Sequence, residues 1–491
     1  MEDQELNNEN ESVAALEDKP DTVDENGGLV SYVTSKFNKS KVARMSDEKR
    51  WLDAYRNYRG TYSSDVQFTE QEKSRVFVKV TKTKVLAAYG QIVDVLFANN
   101  RFPISVDPTT IPEGVAESVH FDPKQPAEAK EEESPYGFKG DGKDLPAGAT
   151  LKDLLGPLKE ELGEIEGLKE GAGKTPSAIT FHPAMVAAKS MEKKILDQLE
   201  ESGASKQLRS TAFEMALLGT GIMKGPFAFD KEYPNWNEEG EYEPIIKAVP
   251  KTSHVSVWNF YPDPDASSMD DAAYVIERQK LNRTQLRALK NRPYFRAEQI
   301  EECIEMGETY EKEYWEDDLR DEQEAYDVDR FEVLEFWGTM DKTFLEDFDL
   351  TIPAELKDQE ELQINAWVCC GKIIRLVLNP FKPAKIPYCA VPYELNPYSF
   401  FGVGLAENMS DTQTLMNGFM RMAVDNAVLS GNLLIEVDET NLVPGQDLTV
   451  YPGKVFRRQG GAPGQAIFGT KFPNVSNENM QLFDKARQLA D

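Results

Sequence analysis

Residues 255–290 read VSVWNFYPDPDASSMDDAAYVIERQKLNRTQLRALK, and that order of local signals admits few folds. Val255–Phe260 is an aromatic run with the composition of a strand. Pro262-Asp263-Pro264 ends it, because proline fixes φ and removes a backbone donor. An acidic surface segment around Asp270 and Asp271 follows, then a second alternating strand from Tyr274, then a short helix over Gln285–Lys290 that Asn282 or Thr284 can cap. Strand, turn, strand and helix in close succession point to a mixed α+β body, and nothing in the segment is arranged for bond-making chemistry.

Apolar spacing fills in the rest. Trp51, Leu52, Tyr55 and Tyr58 predict a helix over 46–58 with Ser46 as a partial cap. Arg75–Val80 alternates as a short strand. Thr83–Asn99 carries Val85, Leu86, Tyr89, Ile92, Val93, Leu96 and Phe97 on one broad face, which predicts a core helix; Pro103 stops it and Ile104–Asp107 begins a strand. Helices over 184–203 and 206–218 lead to Gly219, Gly221 and Gly225, then to strands near Phe227 and over 245–249. Phe331–Thr339 alternates as a strand, and Leu362–Val368 and Lys372–Leu378 form a hairpin through Cys369-Cys370-Gly371. Leu405–Leu429 is a long helix that is apolar over much of its circumference, so it needs neighbours on more than one side. Leu433–Val437 returns as a strand, Asp447–Phe456 as strands on either side of Tyr451-Pro452-Gly453, and a helix from Asn477 reaches Asp491 without a terminator, so a further helical region is expected beyond it.

The formal charge of -30, from 85 acidic and 55 basic side chains, repels a polyanion in bulk and argues against DNA wrapping by a basic saddle. Residues 1–27 are a polar, acidic tail predicted to be disordered, and 109–177 are a Gly, Pro, Lys and Glu-rich stretch predicted to be an exposed insertion. Glu298–Asp329 holds 15 acidic residues against two basic ones, with Ile300, Ile304, Tyr310, Tyr314, Trp315 and Leu319 as a thin apolar stripe, so a partly helical segment with a strongly negative polar face is expected. Lys73, Arg75, Lys79, Lys82 and Lys84 form the best basic cluster, and Lys454, Arg457 and Arg458 another; either suits phosphates, or simply a solvated face. No signal-peptide composition and no run of 18 apolar residues is present, so no membrane partner is expected.

Catalytic signals are equally thin. His120, His182 and His254 stand without metal-site or serine-elbow spacing and read as surface or cap residues. GLKEGAGKT at 167–175 resembles a phosphate loop, but five residues separate Gly167 from Gly173 where four are needed, and no apolar strand precedes it. Cys369 and Cys370 are adjacent in a strand, so their side chains are expected on opposite faces, which argues against a metal cluster; Cys303, Cys369, Cys370 and Cys389 read as free, buried thiols in a reducing compartment. Acidic pairs such as Asp270-Asp271 or Glu316-Asp317-Asp318 could hold a hard cation, yet such clusters arise readily among 85 carboxylates. No catalytic residue, cofactor or metal is expected.

In their order, several segments resemble the portal proteins of tailed bacteriophages, the head-to-tail connectors, in the podophage-type branch. LLGTGIMKGPF at 217–227 is similar to a portal helix that ends in glycines before a strand, and 257–289 is similar to the family's aromatic strand, Pro-Asp-Pro element and return strand. FEVLEFWG at 331–338 and the hairpin after it resemble the clip, GVGLAENMSDTQTLMNGFMRMAVDNAVLSGN at 402–432 the stem helix, and PGKVFRR at 452–458 a wing strand.

The resemblance implies an α+β portal fold. It would divide into a wing body at 28–297, an acidic stem segment at 298–330, a β-rich clip at 331–392, a stem helix at 393–430, wing strands with a tunnel loop at 431–476 and the start of a C-terminal helix at 477–491. It also implies a homo-oligomeric ring, usually of twelve subunits, at one capsid vertex of the virion, assembled in the host cytoplasm. Double-stranded DNA would pass through without sequence specificity during packaging and ejection. The large terminase subunit, a tail adaptor, and the major capsid and scaffolding proteins would be its partners. Candidate stem or channel residues are Gln413, Asn417, Arg421 and Asp425; candidate tunnel-loop residues, within 457–472, are Arg457, Arg458, Gly460, Gly461 and Lys471; candidate clip residues are Trp337, Trp367, Lys372 and Arg375. Acidic walls suit a conduit, since each neutralised phosphate becomes a barrier to sliding. Competing readings are another virion component, such as an adaptor, and a monomeric enzyme with an acidic pocket.

Overall fold

The computed structural model describes residues 27–63, 66–68, 72–97, 102–108, 119–121, 179–181, 183–237, 241–320, 329–345, 348, 350, 352–353, 356–431, 433–449, 451, 454–460 and 466–490. They fall into two compact units, 103–197 and the remainder. In chain order the helices are α1 (Gly27–Arg59), α2 (Val80–Phe97), α3 (Pro183–Glu201), α4 (Ala204–Leu218), α5 (Arg283–Leu289), α6 (Ala297–Met306), α7 (Tyr314–Arg320), α8 (Leu405–Asn408), α9 (Ser410–Gly431) and α10 (Ser476–Ala490). The strands are β1 (Val119–Phe121), β2 (Ile179–Phe181), β3 (Thr220–Tyr233), β4 (Ile245–Val255), β5 (Phe260–Pro262), β6 (Tyr274–Leu281), β7 (Phe331–Asp341), β8 (Glu361–Cys369), β9 (Lys372–Leu378), β10 (Tyr388–Pro392), β11 (Leu433–Val437) and β12 (Ile467–Lys471).

In the smaller unit β1 pairs antiparallel with β2, which joins the two ends of the predicted insertion. The rest of 109–177, including the loop at 167–175, lies outside the described residues, as do 1–26, His182 and Gly461. Ile104–Asp107 is not in a strand; the Val106 N–H donates to the Glu192 carboxylate at 3.2 Å instead.

The larger unit is built on an antiparallel sheet ordered β5-β6-β7-β8-β9, beside a three-stranded sheet ordered β10-β3-β4. Alternation along β6 and β7 separates two faces. Tyr274, Ile276, Leu334 and Phe336 pack with Leu29, Val33 and Phe37 of α1. Facing the other way, Phe331, Val333, Trp367 and Ile374 pack with Leu286 and Leu289 of α5 and Ile300 and Cys303 of α6. The predicted β-rich unit at 331–392 is therefore not separate. β7 pairs along its length with β6, and β10 leaves to pair with β3, because the edges that a hairpin exposes must find backbone partners somewhere.

Three further expectations change for identifiable reasons. The helix expected from Ser46 begins at Gly27 and runs unbroken to Arg59. Its buried stripe Leu29, Val33, Phe37, Ser40, Arg44, Glu48, Trp51 is interrupted by polar residues, so apolar periodicity registers only its last turns. Arg44 and Glu48 pair at 2.7 Å, and the Arg44 guanidinium donates to the carbonyls of Val257 (2.9 Å), Trp258 (2.9 Å) and Phe260 (2.6 Å). Those bonds account for the second difference: 255–260 is not one strand but the end of β4, a 3₁₀ turn at Val257–Asn259 and the start of β5. Third, α2 is not a fully buried core helix; Val85 is its one fully buried large apolar residue, and Leu86 and Val95 are exposed.

The acidic run is partly helical, as α6 and α7, but it does not hold all of its charge in water. Glu313 pairs with Lys41 (2.7 Å) and Arg278 (3.3 Å), Glu316 with Lys280, and Asp318 with Arg56 (2.7 Å). Residues 321–328 lie outside the described residues. Asn282, one of the two capping candidates, closes a capping box with Gln285 at the start of α5.

Candidate functional site

Helix α9 and the chain around it hold most of the residues that the sequence singles out. Entry into α8 and α9 needs glycine. A Cβ on Gly219, at φ 93, would lie 2.5 Å from the Gly402 oxygen and 2.6 Å from the Gly404 nitrogen, so α4 and the α8 entry approach closely only without side chains.

Gln413, Asn417, Arg421 and Asp425 recur every four residues and share one face of α9. Their partner lies within the same chain. Asn417 Oδ1 accepts from the Val78 N–H at 2.9 Å, and Gln413 Oε1 accepts from the Thr81 N–H at 3.1 Å and the Thr81 hydroxyl at 2.9 Å. Gln413 Nε2 donates to the Val78 carbonyl, Asp425 Oδ1 accepts from the Ser74 N–H at 2.9 Å, and Arg421 stacks over Tyr62 and Phe68. Gln413 and Asn417 are 1% and 4% exposed, so they brace the helix from inside and do not line an open surface. The same bonds explain why 75–80 is not a strand: side-chain amides satisfy backbone groups that a neighbouring strand would otherwise take. Lys73, Arg75, Lys79 and Lys82 are left exposed along the segment so held.

A second flank of α9 packs Met416, Phe419 and Met420 against Phe483 and Ala486 of α10. The remaining flank is open. Leu415, Met422 and Leu429, spaced by seven, are 50%, 49% and 56% exposed, and Val428 stands beside them at 52%.

A family model described as Phage SU10 portal protein matches residues 182–490, from before α3 to the end of α10. The chain belongs to this phage portal family. No curated protein matches it. The fold of the portal chain is α+β with antiparallel sheets, and its role is that of a phage portal or virion structural protein. Among the described residues no helix is long and apolar enough to cross a membrane.

The other candidate residues of the portal chain divide by burial. Trp337 is buried and donates to Glu335 at 2.7 Å, and Trp367 is buried against Phe295 at 5.2 Å between ring centres, so both lie in the core of the protomer. Lys372 pairs with Glu302, and Arg375 is half-buried over the Phe295 ring. Arg457, Arg458 and Gly460 are exposed, with Arg458 bridged to Leu442. The stretch 457–472 is not one loop, because Ile467–Lys471 is β12, paired with β11; Lys471 is its exposed last residue. The described part of 447–456 carries no strand.

Two polar clusters escape sequence reasoning. Lys224 of β3 bridges the carboxylates of Glu277 on β6, at 2.7 Å, and Glu335 on β7. Tyr388 donates to Glu277 at 2.6 Å, which ties the two sheets through one buried charge. Burial pushes the Glu335 carboxyl up, against the pull of Lys224. Glutamates at inward positions of apolar strands were the available signal. A cleft of about 610 Å³ carries Glu214 and His254. Burial lifts the Glu214 carboxyl to about 7, opposed by bonds from the Ser256 hydroxyl (2.6 Å) and the Val257 N–H (3.1 Å) that commit it to holding the 3₁₀ turn. His254, half-buried 3.4 Å from Glu214, is pushed down by burial and is not a surface residue.

Proposed function

We propose that this portal chain is one subunit of a ring, of twelve copies in the podophage manner, that sits at a single capsid vertex and conducts double-stranded DNA during packaging and ejection. The clip-like hairpin of β8 and β9 serves as a docking platform for the large terminase subunit and, later, for a tail adaptor, and capsid and scaffolding proteins surround the ring after assembly in the host cytoplasm. The work is mechanical and involves no catalysis. The observation that carries the ring is the apolar stripe Leu415, Met422 and Leu429, left uncovered on a helix whose other flanks are filled by its own chain. A seven-residue repeat lies along one line of a helix, the pattern that suits packing against a neighbouring helix. Copies related by rotation about a closed axis would cover it.

The basic residues Lys73, Arg75, Lys79 and Lys82 are the strongest phosphate-facing candidates, since the chain as a whole carries a charge of -30 and this segment is fixed to α9 by three side chains, Gln413, Asn417 and Asp425. Contact with phosphates there is sparse enough for DNA to slide. Electron microscopy of the purified full-length chain tests the reading: rings with a central hole that admits a duplex are expected, and discrete monomers at assembly concentrations overturn it.

A further inference from the structure

The turn between β8 and β9 carries a feature unrelated to DNA. Cys369 ends β8 and Lys372 begins β9, so Cys370 and Gly371 are a two-residue hairpin loop. Both have positive φ, 51 and 71, as the tight turn matching strand twist requires. A strand would send the side chains of Cys369 and Cys370 to opposite faces. The left-handed backbone at Cys370 removes that alternation, and the two sulfurs stand 3.6 Å apart. Cys303 arrives from α6, sixty-six residues away in sequence, with its Sγ 3.3 Å from the Cys369 carbonyl oxygen. All three Sγ atoms lie within 4.8 Å of one another. The expectation that these cysteines could not cluster therefore fails, and it fails through the turn.

We propose that Cys303, Cys369 and Cys370 form a three-thiolate site for a thiophilic cation, Zn²⁺ first among them. Tetrahedral zinc with Zn–S bonds near 2.3 Å sets its sulfurs about 3.8 Å apart, a spacing that small side-chain rotations reach from the one seen. Cys303 and Cys369 are buried, whereas Cys370 is half-exposed, which leaves an entry path and room for water as fourth ligand beside the Thr309 hydroxyl, 3.6 Å from the Cys370 sulfur. Three thiolates on a divalent ion leave one negative charge, which the neighbouring Lys372 ammonium offsets in part. The ion would tie α6 to the tip of the β8–β9 hairpin, adding its binding free energy to the fold.

Full-length protein loaded with Zn²⁺ and desalted is expected to retain about one zinc per chain by elemental mass spectrometry. Co²⁺ in its place is expected to give thiolate-to-metal charge-transfer absorption. Cys370→Ser and Cys303→Ala should each lose the retained zinc and the absorption band, while Cys389→Ala, at the exposed cysteine outside the cluster, keeps both. Cys370→Ser sits in a half-exposed turn and carries the test if the buried Cys303→Ala variant fails to fold. Zinc should also raise the Tm of the wild type and leave that of Cys370→Ser unchanged. Three results overturn the proposal: no zinc retained by the wild type, wild-type retention by Cys370→Ser, or a disulfide joining two of the three cysteines in protein isolated under reducing conditions. None of these measurements reads ring assembly, so the site stands or falls apart from the portal reading.

Discussion

In the five-stranded sheet both faces are covered by the chain that makes it, α1 on one side and α5, α6 and the β3 sheet on the other. Helix α9 is covered by residues 74–81 and by α10 and left open along Leu415, Met422 and Leu429. The first region buries both of its apolar faces within one protomer. The second finds partners for Gln413, Asn417 and Asp425 there but leaves part of its apolar surface open. An apolar line left exposed on a braced helix is surface whose burial is available to a neighbour.

The largest effect should come from the open stripe. Leu415→Glu combined with Met422→Glu is expected to abolish rings in negative-stain images and to change protomer stability by no more than about 0.5 kcal/mol, as for other exposed positions. Rings that persist would mean that α9 meets its neighbours elsewhere or not at all. In the closed region, Lys224→Met leaves Glu277 and Glu335 buried without their shared cation, and a loss of about 3–5 kcal/mol in urea unfolding is expected. A loss under about 1 kcal/mol would show that the sheets do not depend on the shared cation.

Glu214 probes the scaffold on which both regions rest. Its folded-state value near 7 lies above the ordinary 4.5, so the folded chain binds the proton more tightly than the unfolded one. The resulting stabilisation is complete below 4.5 and is lost as pH rises through about 7, a change of about 3 kcal/mol. His254, with its value pushed down, contributes with the opposite sign, losing stability as pH falls below 6.5. Glu214→Gln should retain the histidine component and lose the glutamate one, so the difference between the two stability curves from pH 4.5 to 7 isolates it. Identical curves would refute the buried-carboxyl account. The smallest expected effect is at the brace. Asn417→Ala removes the acceptor of the Val78 N–H, with a loss of about 1–3 kcal/mol and faster hydrogen exchange at Val78. Unchanged exchange there would mean that α10 and packing alone hold 74–81 in place.

Features set by chemistry within a few residues were legible beforehand. The Asn282 cap, the hairpin turning at Cys370-Gly371, the strand character of 331–339 and the helical character of 405–429, which a turn at Met409 divides into α8 and α9, all depend on neighbours in sequence. The four-residue spacing of Gln413, Asn417, Arg421 and Asp425 marked them as a unit, but not what they meet. Arg44, Lys224, Gln413 and Cys303 acquire their roles from partners tens to hundreds of residues away: the carbonyls of 257–260, glutamates on two strands, the backbone of 78–81 and a hairpin tip. Spacing along a chain reports which residues share a face, because local geometry is periodic. Which face meets which, and hence whether a buried charge is paired or a polar stripe points inward, is decided when distant segments pack, since burial raises the energy of every unpaired polar group and only tertiary contacts can lower it again.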